Sequence, residues 1–351
     1  MTSTQAVRFA AVGLDHAHIF GQIAGLIGAG AEFVGMATDD PSAAIATRVR
    51  EQYPDVPVVE SPDELLGRDG IDLIVTAAVP DRRGPIAVAA LRAGKDVMTD
   101  KPGCVSLDQL EEIEKAVGQT GRFWSVTFSE RFEVPSVIKA GELVREGRIG
   151  TVVQTLGIGP HRVGDRGHLG GGAGRPDWFY DNNRYGGILT DIASHQIDQF
   201  LWFTGASTAE IVASTVGNFA NPDEPGLQDF GEILLRSEHA QGYIRVDWYT
   251  PAGLPTWGDG RLMILGTDGY IELRKYVDIA GRDGGDHLFL VNQEGMQYID
   301  CSQVQTTYYS DLVRDVRDRT TSAAPQEHTF ETMRLALTAQ QRATVRGAAR
   351  G

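Results

Sequence analysis

Short apolar runs alternate with helical patterns over the first 127 residues, and this alternation limits the possible folds more than any other feature. Five runs indicate buried strands: Val7 to Val12, Phe33 to Ala37, Leu73 to Ala77, Asp96 to Thr99 and Trp124 to Phe128. Helical patterns near residues 18–29, 42–52, 84–93 and 107–118 fill the intervals. Strands that alternate with helices pair in parallel through right-handed crossovers. We therefore predict an α/β domain over residues 1–127, with helices on both faces of a parallel sheet.

The pattern changes in the second part of the chain, residues 128–351, which we predict to be an α+β domain. Consecutive strand candidates are Ile211 to Val216, Phe230 to Arg236, Gly242 to Tyr249, Arg261 to Leu265 and Tyr270 to Arg274. Helical patterns occupy Val134 to Glu146 and, near the end, residues 306–319 and 329–346. Strands that follow one another without helices form antiparallel or mixed sheets. We expect a ligand crevice where the carboxyl ends of the first domain's strands meet this second sheet.

Charge and cysteine content narrow the kind of partner and compartment. The 47 acidic residues exceed the 32 basic residues and give a net charge of -15, which disfavours nucleic acid or an anionic membrane as a partner. A small molecule is the better expectation. Cys104 and Cys301 are too few for a disulfide framework, and no apolar run reaches the ~18 residues of a membrane span. We expect a cytoplasmic protein.

The turn after the first strand resembles a dinucleotide-binding loop, in which G-x-G-x-x-G/A is usual. Gly13 supplies the first glycine, but Asp15 and His18 occupy the second and third glycine positions. Asp15 is expected to N-cap the next helix by accepting a bond from the amide two or three residues on. His16 and His18 would then contact phosphate at the positive end of that helix. The predicted modified phosphate loop comprises Gly13, Leu14, Asp15, His16 and His18.

The same loop also admits a metal site formed by Asp15, His16 and His18. A zinc site normally completes such a set with further ligands at characteristic spacing, and the sequence offers no evident fourth ligand. The phosphate loop is therefore the preferred interpretation, and we predict no metal.

Acidic residues follow the second strand at Thr38-Asp39-Asp40, about 25 residues after Gly13. An acid at this place in a dinucleotide-binding fold accepts bonds from the ribose hydroxyls of NAD, whereas an Arg accommodates the extra phosphate of NADP. Thr38, Asp39 and Asp40, with no adjacent Arg, favour NAD, although NADP stays open. A solvated turn that opens the helix at Pro41 explains either aspartate equally well.

A carboxylate and an imidazole lie four residues apart in the segment Gly186 to Asp198, at Asp191 and His195. In a helix these side chains share one face, so both can be presented to one substrate for general acid–base chemistry. An ordinary surface helix is the alternative, because an apolar stripe at helical spacing lies roughly opposite the pair.

Two motifs together resemble the glucose-fructose oxidoreductase, inositol dehydrogenase and rhizopine-catabolism (Gfo/Idh/MocA) family. The family carries Glu-Lys-Pro at the end of its fifth strand, and this chain has Asp100-Lys101-Pro102. The segment Gly186 to Asp198 is similar to the family's glycine-rich motif with an Asp followed by a His. Weaker matches are Arg131-Phe132, Gly147 to Gly150 and Gly266 to Gly269. The resemblance therefore extends over nearly the whole chain.

The resemblance implies an N-terminal Rossmann domain followed by a substrate domain with a large, mainly antiparallel open sheet, which often mediates dimers or tetramers. It also implies an NAD(P)-dependent oxidoreductase that moves a hydride between nicotinamide and a hydroxyl carbon of a sugar, polyol or inositol-like substrate. Lys101, Asp191 and His195 would form the catalytic set, with Pro102 keeping Lys101 on the cofactor side. One further departure is Arg83, where many members have a histidine, which we place at the pocket rim.

Substrate recognition is expected to involve the segment from His161 to Tyr185, since loops often carry specificity. Its polar and aromatic residues, half of which would serve only to anchor the loop, are His161, Arg162, His168, Arg175, Asp177, Trp178 and Tyr180. We select Arg131, His161 and Trp178 as substrate-binding residues.

Two other functions compete with a dehydrogenase. A redox-neutral sugar-modifying enzyme would keep NAD tightly bound and regenerate it in each turnover. A non-catalytic sensor would bind nucleotide or sugar and signal through a partner. The joint presence of Lys101, Asp191 and His195 argues against the sensor, because binding alone needs no proton acceptor.

Overall fold

The computed structural model describes residues 6–166 and 174–347. Its first part contains one parallel sheet of five strands in the order β2-β1-β3-β4-β5. The elements run β1 (Arg8–Leu14), α1 (His18–Gly28), β2 (Glu32–Ala37), α2 (Ala44–Gln52), α3 (Pro62–Gly67), β3 (Leu73–Ala77), α4 (Pro80–Arg92), β4 (Asp96–Asp100), α5 (Leu107–Thr120) and β5 (Trp124–Thr127). The predicted α/β architecture is confirmed.

Local chemistry explains the central strands and the helix boundaries. Strands β3 and β4 are buried along their whole length because helices cover both faces, as the nearly continuous apolar sequence of β3 indicates. In β4 the polar residues Asp96, Thr99 and Asp100 are buried as well. Helix α5 begins where the Ser106 hydroxyl accepts a bond from the Gln109 amide, and it ends at Gly121 in the left-handed conformation. The carboxyl ends of β1, β3 and β4 therefore open on one edge of the sheet.

The second part is built on one large mixed sheet. Its nine strands follow the order β15-β14-β13-β12-β6-β11-β10-β9-β16, antiparallel except for the parallel pairs β6 with β11 and β9 with β16. Its elements are α6 (Ser129–Phe132), α7 (Pro135–Arg145), β6 (Val152–Pro160), β7 (Asp165–Arg166), β8 (Gly174–Arg175), a 3-10 turn (Asp177–Tyr180), α8 (Asn182–Tyr185), α9 (Ile188–Asp191), α10 (Ala193–Thr204), β9 (Glu210–Gly217), β10 (Phe230–Arg236), β11 (Gln241–Asp247), β12 (Arg261–Gly266), β13 (Gly269–Arg274), β14 (His287–Asn292), β15 (Gly295–Asp300), α11 (Tyr308–Asp318), α12 (Gln326–Arg342) and β16 (Thr344–Arg346).

Two differences from the sequence analysis have clear physical reasons. The sequence analysis did not predict strand β6, because Gly157 and Gly159 interrupt its apolar pattern. Both glycines admit Gln196 of α10, since a Cβ on either would lie 2.8 Å from that side chain. The helix expected over residues 329–346 stops at Arg342, because Ala343 turns extended and Thr344–Arg346 pairs with β9.

The C-terminal helices pack against the first sheet as well as the second. Tyr308 of α11 stacks on Phe132 at 4.0 Å between ring centroids, and Phe330 of α12 stacks on Trp124 at 6.0 Å. The apolar core beneath the parallel sheet consequently includes residues from both ends of the chain. Among the described residues, no helix is both long and apolar enough to cross a membrane.

Candidate active site

A cavity of about 190 Å³ lies between the carboxyl ends of the first sheet and the helix-covered face of the second. This is where the sequence analysis predicts a ligand crevice. Four histidines contribute to its wall, together with one lysine, one arginine and one glutamate. The lining residues are His16, His18, Lys101, Ser129, Glu130, His161, Arg175, Phe179, His195, Trp248, Trp257 and Tyr276.

Lys101 and Asp191 form a buried ion pair at this cavity. Lys101 follows β4 directly and precedes Pro102 through a cis peptide bond, and its Nζ lies 3.0 Å from Asp191 Oδ1. Burial by itself would raise the pKa of Asp191, but the neighbouring Lys101 ammonium outweighs burial and holds that pKa below its usual range. Asp191 Oδ2 is buried and has no partner among the described residues, so it remains an available acceptor.

His195 lies on α10, one turn beyond Asp191, but the two side chains do not share one helix. Ile192 separates α9 from α10, and in the described chain no hydrogen bond joins Asp191 to His195. The surface-helix interpretation is wrong, because His195 is only 2% exposed. Burial lowers the pKa of His195 to about 4, against the opposing influence of Glu130. The imidazole is therefore neutral near pH 7.

Glu130, rather than Asp191, is the carboxylate whose charge acts most strongly on His195. Lys275 donates to Glu130 Oε2 at 2.6 Å and to Gln199 Oε1 at 2.9 Å, and the Gln199 amide donates to the His195 carbonyl at 3.0 Å. Burial would raise the pKa of Glu130, but Lys275 lowers it to about 2. Sequence analysis missed this network. The sequence offered one signal for it: Glu130 directly precedes Arg131-Phe132, which matches the family.

His161 also lines the cavity, among aromatic rings. Its Nδ1 donates to the Gly159 carbonyl at 3.2 Å, which leaves Nε2 as an acceptor. Burial lowers the pKa of His161 to about 3. The ring packs against Trp257 at 4.5 Å and Trp248 at 5.4 Å between centroids. Flat apolar faces beside polar acceptors suit a hydroxylated ring.

The other two residues selected for substrate binding lie elsewhere. Arg131 is buried and donates twice to Asp198, at 2.6 and 2.7 Å, so its guanidinium does not line the cavity. Trp178 belongs to the adjacent groove. His168, from the same loop, lies outside the described residues.

That adjacent groove, of about 580 Å³, has features that fit a dinucleotide. It runs from Gly13 to Asp39 and Asp40. Gly13 has φ +77°, and a Cβ there would lie 2.4 Å from the Cβ of Ala78, so the turn leaves no room for a side chain. Thr38 Oγ1 is buried without a partner among the described residues. Leu14, by contrast, points into the core.

Arg82 of α4 lies 3.2 Å from Asp39, although no arginine is near Asp39 in the sequence. Both side chains are largely exposed, so the pair contributes little to stability. The groove has a predominantly acidic lining, with Asp15, Asp39, Asp40, Asp63 and Asp81 against Arg82 and Arg184.

The predicted N-cap role of Asp15 is wrong. Helix α1 begins at His18 without a side-chain cap, and Asp15 instead accepts a bond from the Val79 amide at 3.2 Å. The amides of Asp15 and His16 both donate to the Ala77 carbonyl, because the turn folds back onto the end of β3. Burial raises the pKa of Asp15. Fewer loop amides therefore remain for phosphate than in an ordinary dinucleotide loop.

His16 and His18 face Asp100 at the cavity. His18 Nδ1 lies 2.9 Å from Asp100 Oδ1, and His16 Nδ1 lies 3.3 Å from Asp100 Oδ2. Arg83 also binds Asp100 Oδ2, at 2.9 Å, and donates to the carbonyls of Asp100, Lys101 and Pro102. It is only 1% exposed, so the expected place at the pocket rim is wrong.

Two family models match the chain in succession. One, described as an oxidoreductase family with an NAD-binding Rossmann fold, matches residues 10–128. The other, the GFO/IDH/MocA C-terminal domain, matches residues 137–272. The first match covers the parallel sheet, and the second covers most of the large mixed sheet.

The chain is also similar to individual proteins. A crystal structure of a protein from Erwinia carotovora atroseptica SCRI1043, named as a putative oxidoreductase, is 44% identical, covers 97% of this chain and 99% of that one, and has a TM-score of 0.91. The scyllo-inositol 2-dehydrogenase (NAD(+)) of Bacillus subtilis (strain 168) is 24% identical over 71% of this chain and 67% of its own length. Levoglucosan dehydrogenase, solved with NADH and levoglucosan, has the same fold at 16% identity, with a TM-score of 0.77 over 96% of this chain and 97% of that one. The chain spans 45% to 67% of the length of four curated relatives that it matches.

Proposed function

Because the chain belongs to the Gfo/Idh/MocA family of oxidoreductases, we propose that it is an NAD(P)-dependent dehydrogenase. It moves a hydride between nicotinamide and the hydroxyl-bearing carbon of a sugar, polyol or inositol-like substrate. One observation carries the proposal: Lys101, bound to Asp191, and a neutral His195 line one cavity beside a groove that fits a dinucleotide. The names of two similar proteins, an inositol dehydrogenase and a levoglucosan dehydrogenase, support the substrate class.

His195 is the proton acceptor in this proposal. Its Nδ1 is buried without a partner among the described residues, so Nε2 is the nitrogen left to face the cavity and take the hydroxyl proton. Glu130 stabilises the imidazolium that results, because its negative charge opposes the lowering of the His195 pKa by burial. A positioned base of this kind contributes typically ~10²- to 10⁴-fold to the rate.

Lys101 and Asp191 act on the substrate oxygens. The Lys101 ammonium binds the reacting oxygen and stabilises the negative charge that develops when the proton leaves. Asp191 holds that ammonium through Oδ1 and offers its free Oδ2 to a neighbouring hydroxyl. His161 and the tryptophans beside it support the ring of the substrate. Gly13, Thr38, Asp39 and Asp40 would hold the pyrophosphate and ribose of the dinucleotide, whose nicotinamide would supply the hydride chemistry.

NAD is the preferred nucleotide. The groove is lined by five aspartates and two arginines, and one of those arginines already pairs with Asp39. An additional ribose phosphate in this surrounding would meet uncompensated negative charge. We expect tighter binding of NAD than of NADP when both are titrated against the purified protein.

The proposal is tested with a panel of sugars, inositols and other polyols, by following nicotinamide absorbance. We expect NAD reduction with at least one substrate, and His195→Ala should lower kcat by at least about 100-fold without unfolding the protein. His239→Ala, at a largely exposed histidine in a turn, is the matched control and should retain activity. Near-normal turnover by H195A, or no binding of either nucleotide, would contradict the proposal. Tight NAD binding without net reduction would favour the redox-neutral alternative.

We also propose that two or more copies associate through the open face of the large sheet. Half-exposed apolar side chains alternate there with buried ones, among them Val212, Leu234, Tyr243 and Leu265. Sedimentation should give a dimer or tetramer, and Leu234→Glu with Tyr243→Glu should dissociate it. Two free, buried cysteines, Cys104 and Cys301, favour a reducing compartment such as the cytoplasm.

A further inference from the structure

The environment of His16 contains an electrostatic conflict. The backbone amide of His18 donates to His16 Nδ1 in a long bond of 3.3 Å, so that nitrogen carries a lone pair, which a bound metal ion would take over from the amide. The same Nδ1 lies 3.3 Å from Asp100 Oδ2, which is also an acceptor. Two acceptors at this distance repel each other; the Arg83 guanidinium, 2.9 Å from Asp100 Oδ2, offsets part of this repulsion, and a cation bound to both would remove the rest. His18 Nδ1, 2.9 Å from Asp100 Oδ1, is a third ligand atom in the same place.

We propose that His16, His18 and Asp100 bind a divalent transition-metal ion, with Zn²⁺ as the best candidate. Their ligand atoms all lie within 4.8 Å of one another. Ligands bonded to zinc at ~2.0–2.2 Å in tetrahedral geometry stand about 3.3 to 3.5 Å apart, so the two separations between histidine nitrogen and carboxylate oxygen, 3.3 and 2.9 Å, need only small adjustments. Two imidazoles and one carboxylate are a ligand set that zinc accepts. The site differs from the sequence alternative, because Asp100 takes the place of Asp15.

Arg83 prepares Asp100 for this role. Its guanidinium holds Asp100 Oδ2 and three consecutive carbonyls, so the carboxylate is fixed with Oδ1 directed toward His18. Metal-ligating carboxylates are commonly fixed by such outer hydrogen bonds. His18 is 45% exposed at its side chain and can move to complete the geometry, whereas His16 and Asp100 are buried.

The fourth coordination position opens on the cavity, since His16 and His18 both line it. Three protein ligands with one open position are the arrangement of catalytic rather than structural zinc sites. Asp100, Arg83, Lys101 and Asp191 together carry no net charge, so a divalent ion would leave the site positive and favour an anionic or strongly polarised oxygen ligand. The open position would therefore take an oxygen ligand of this kind. This inference goes beyond the proposed function and does not depend on it.

The test measures metal in the full chain, prepared without a histidine tag. After dialysis against Zn²⁺ and then metal-free buffer, elemental analysis should find about one equivalent per chain. Replacement by Co²⁺ should give a tetrahedral d–d absorption spectrum, and added azide should shift it by entering the open position. His18→Ala and His16→Ala should each weaken metal binding by at least about 100-fold.

Two controls make the outcome decisive. His239→Ala should retain the full metal content, and His18→Ala, at an exposed position, is the variant least able to disturb the fold. Less than one tenth of an equivalent in the wild-type protein, or unchanged binding in both H16A and H18A, would overturn the metal site. A cobalt spectrum that azide leaves unchanged would overturn the open position. Full metal content without NAD reduction would contradict the proposed dehydrogenase function and would leave the metal site standing.

Discussion

His195 provides the sharpest prediction at the scale of single residues, because burial lowers its pKa to about 4. A base must be neutral to accept a proton, so activity should persist until the pH falls toward 4, rather than declining near 6.5. The acid limb of kcat/KM for alcohol oxidation should show this value. Glu130→Gln should shift the limb to still lower pH, since it removes the charge that favours the imidazolium. An acid limb near 6.5 in both proteins would contradict the assignment of His195.

The negative charge of Asp15 should weaken the binding of NAD. Its carboxylate lines the groove and already accepts the Val79 amide, so it adds negative charge where the pyrophosphate of NAD is expected. Asp15→Asn keeps an acceptor for that amide and removes the charge. Two unit charges about 4 Å apart in water repel by about 1 kcal/mol, so NAD should bind roughly five-fold more tightly by calorimetry. Asp63→Asn, farther along the groove, is the control and should change affinity less. Weaker binding by D15N would contradict this role.

At the scale of elements, α4 is tied to the segment after β4 by Arg83. The planar guanidinium makes several bonds that a lysine ammonium cannot reproduce in one geometry. Arg83→Lys should therefore loosen the segment that carries Lys101. We expect the free energy of unfolding to fall by roughly 2 to 3 kcal/mol, as for lost charge-assisted bonds, and kcat/KM to fall with it. Urea unfolding and steady-state kinetics measure the two effects.

The matched control for R83K is Arg92→Lys on the same helix. Arg92 is exposed and makes a long contact to Glu112, so its replacement should leave both measurements nearly unchanged. Equal behaviour of R83K and R92K would show that Arg83 does not support the active-site segment.

Helix periodicity predicted part of the segment Gly186 to Asp198 correctly. The spacing of Asp191 and His195 placed both near the cavity, but the pattern implied one continuous helix in which the carboxylate orients the imidazole. The break at Ile192 sends Asp191 to Lys101 and leaves His195 to the influence of Glu130. Periodicity cannot show this, because the competing partner lies 90 positions away in the sequence.

At the scale of the whole molecule, the two kinds of sheet were predictable because the succession of strands and helices along the chain follows local patterns. Single strands such as β6 and β16, and contacts between distant segments, were not. His18 and Asp100 are 82 residues apart, and Glu130 and Lys275 are 145 apart. Arg82 reaches Asp39 from another helix. A local sequence pattern gives the type of each residue, while the packing of the two sheets decides which charged groups meet. The cavity therefore depends on the fold of both parts.

Buried neutral histidines also couple the stability of the whole molecule to pH. Burial lowers the pKa of His161 to about 3 and that of His195 to about 4, whereas each titrates near 6.5 in the unfolded chain. Between pH 6.5 and 4 the unfolded chain binds protons that the folded protein does not, so stability falls as the pH falls through this window. Each histidine should remove about 2 kcal/mol between pH 7 and pH 5.

Urea unfolding at pH 7, 6 and 5 measures this loss, and His161→Gln and His195→Gln separate the contributions. Glutamine does not titrate, so each variant should lose less stability on acidification than the wild type, even where it is less stable at pH 7. Acidic groups with a lowered pKa, such as Glu130 at about 2, change the stability only at lower pH, because the pKa of such a group in the unfolded chain lies near 4. If both variants follow the wild-type dependence between pH 7 and pH 5, these two histidines are not held neutral by the fold, and the proton acceptor must be sought elsewhere in the cavity.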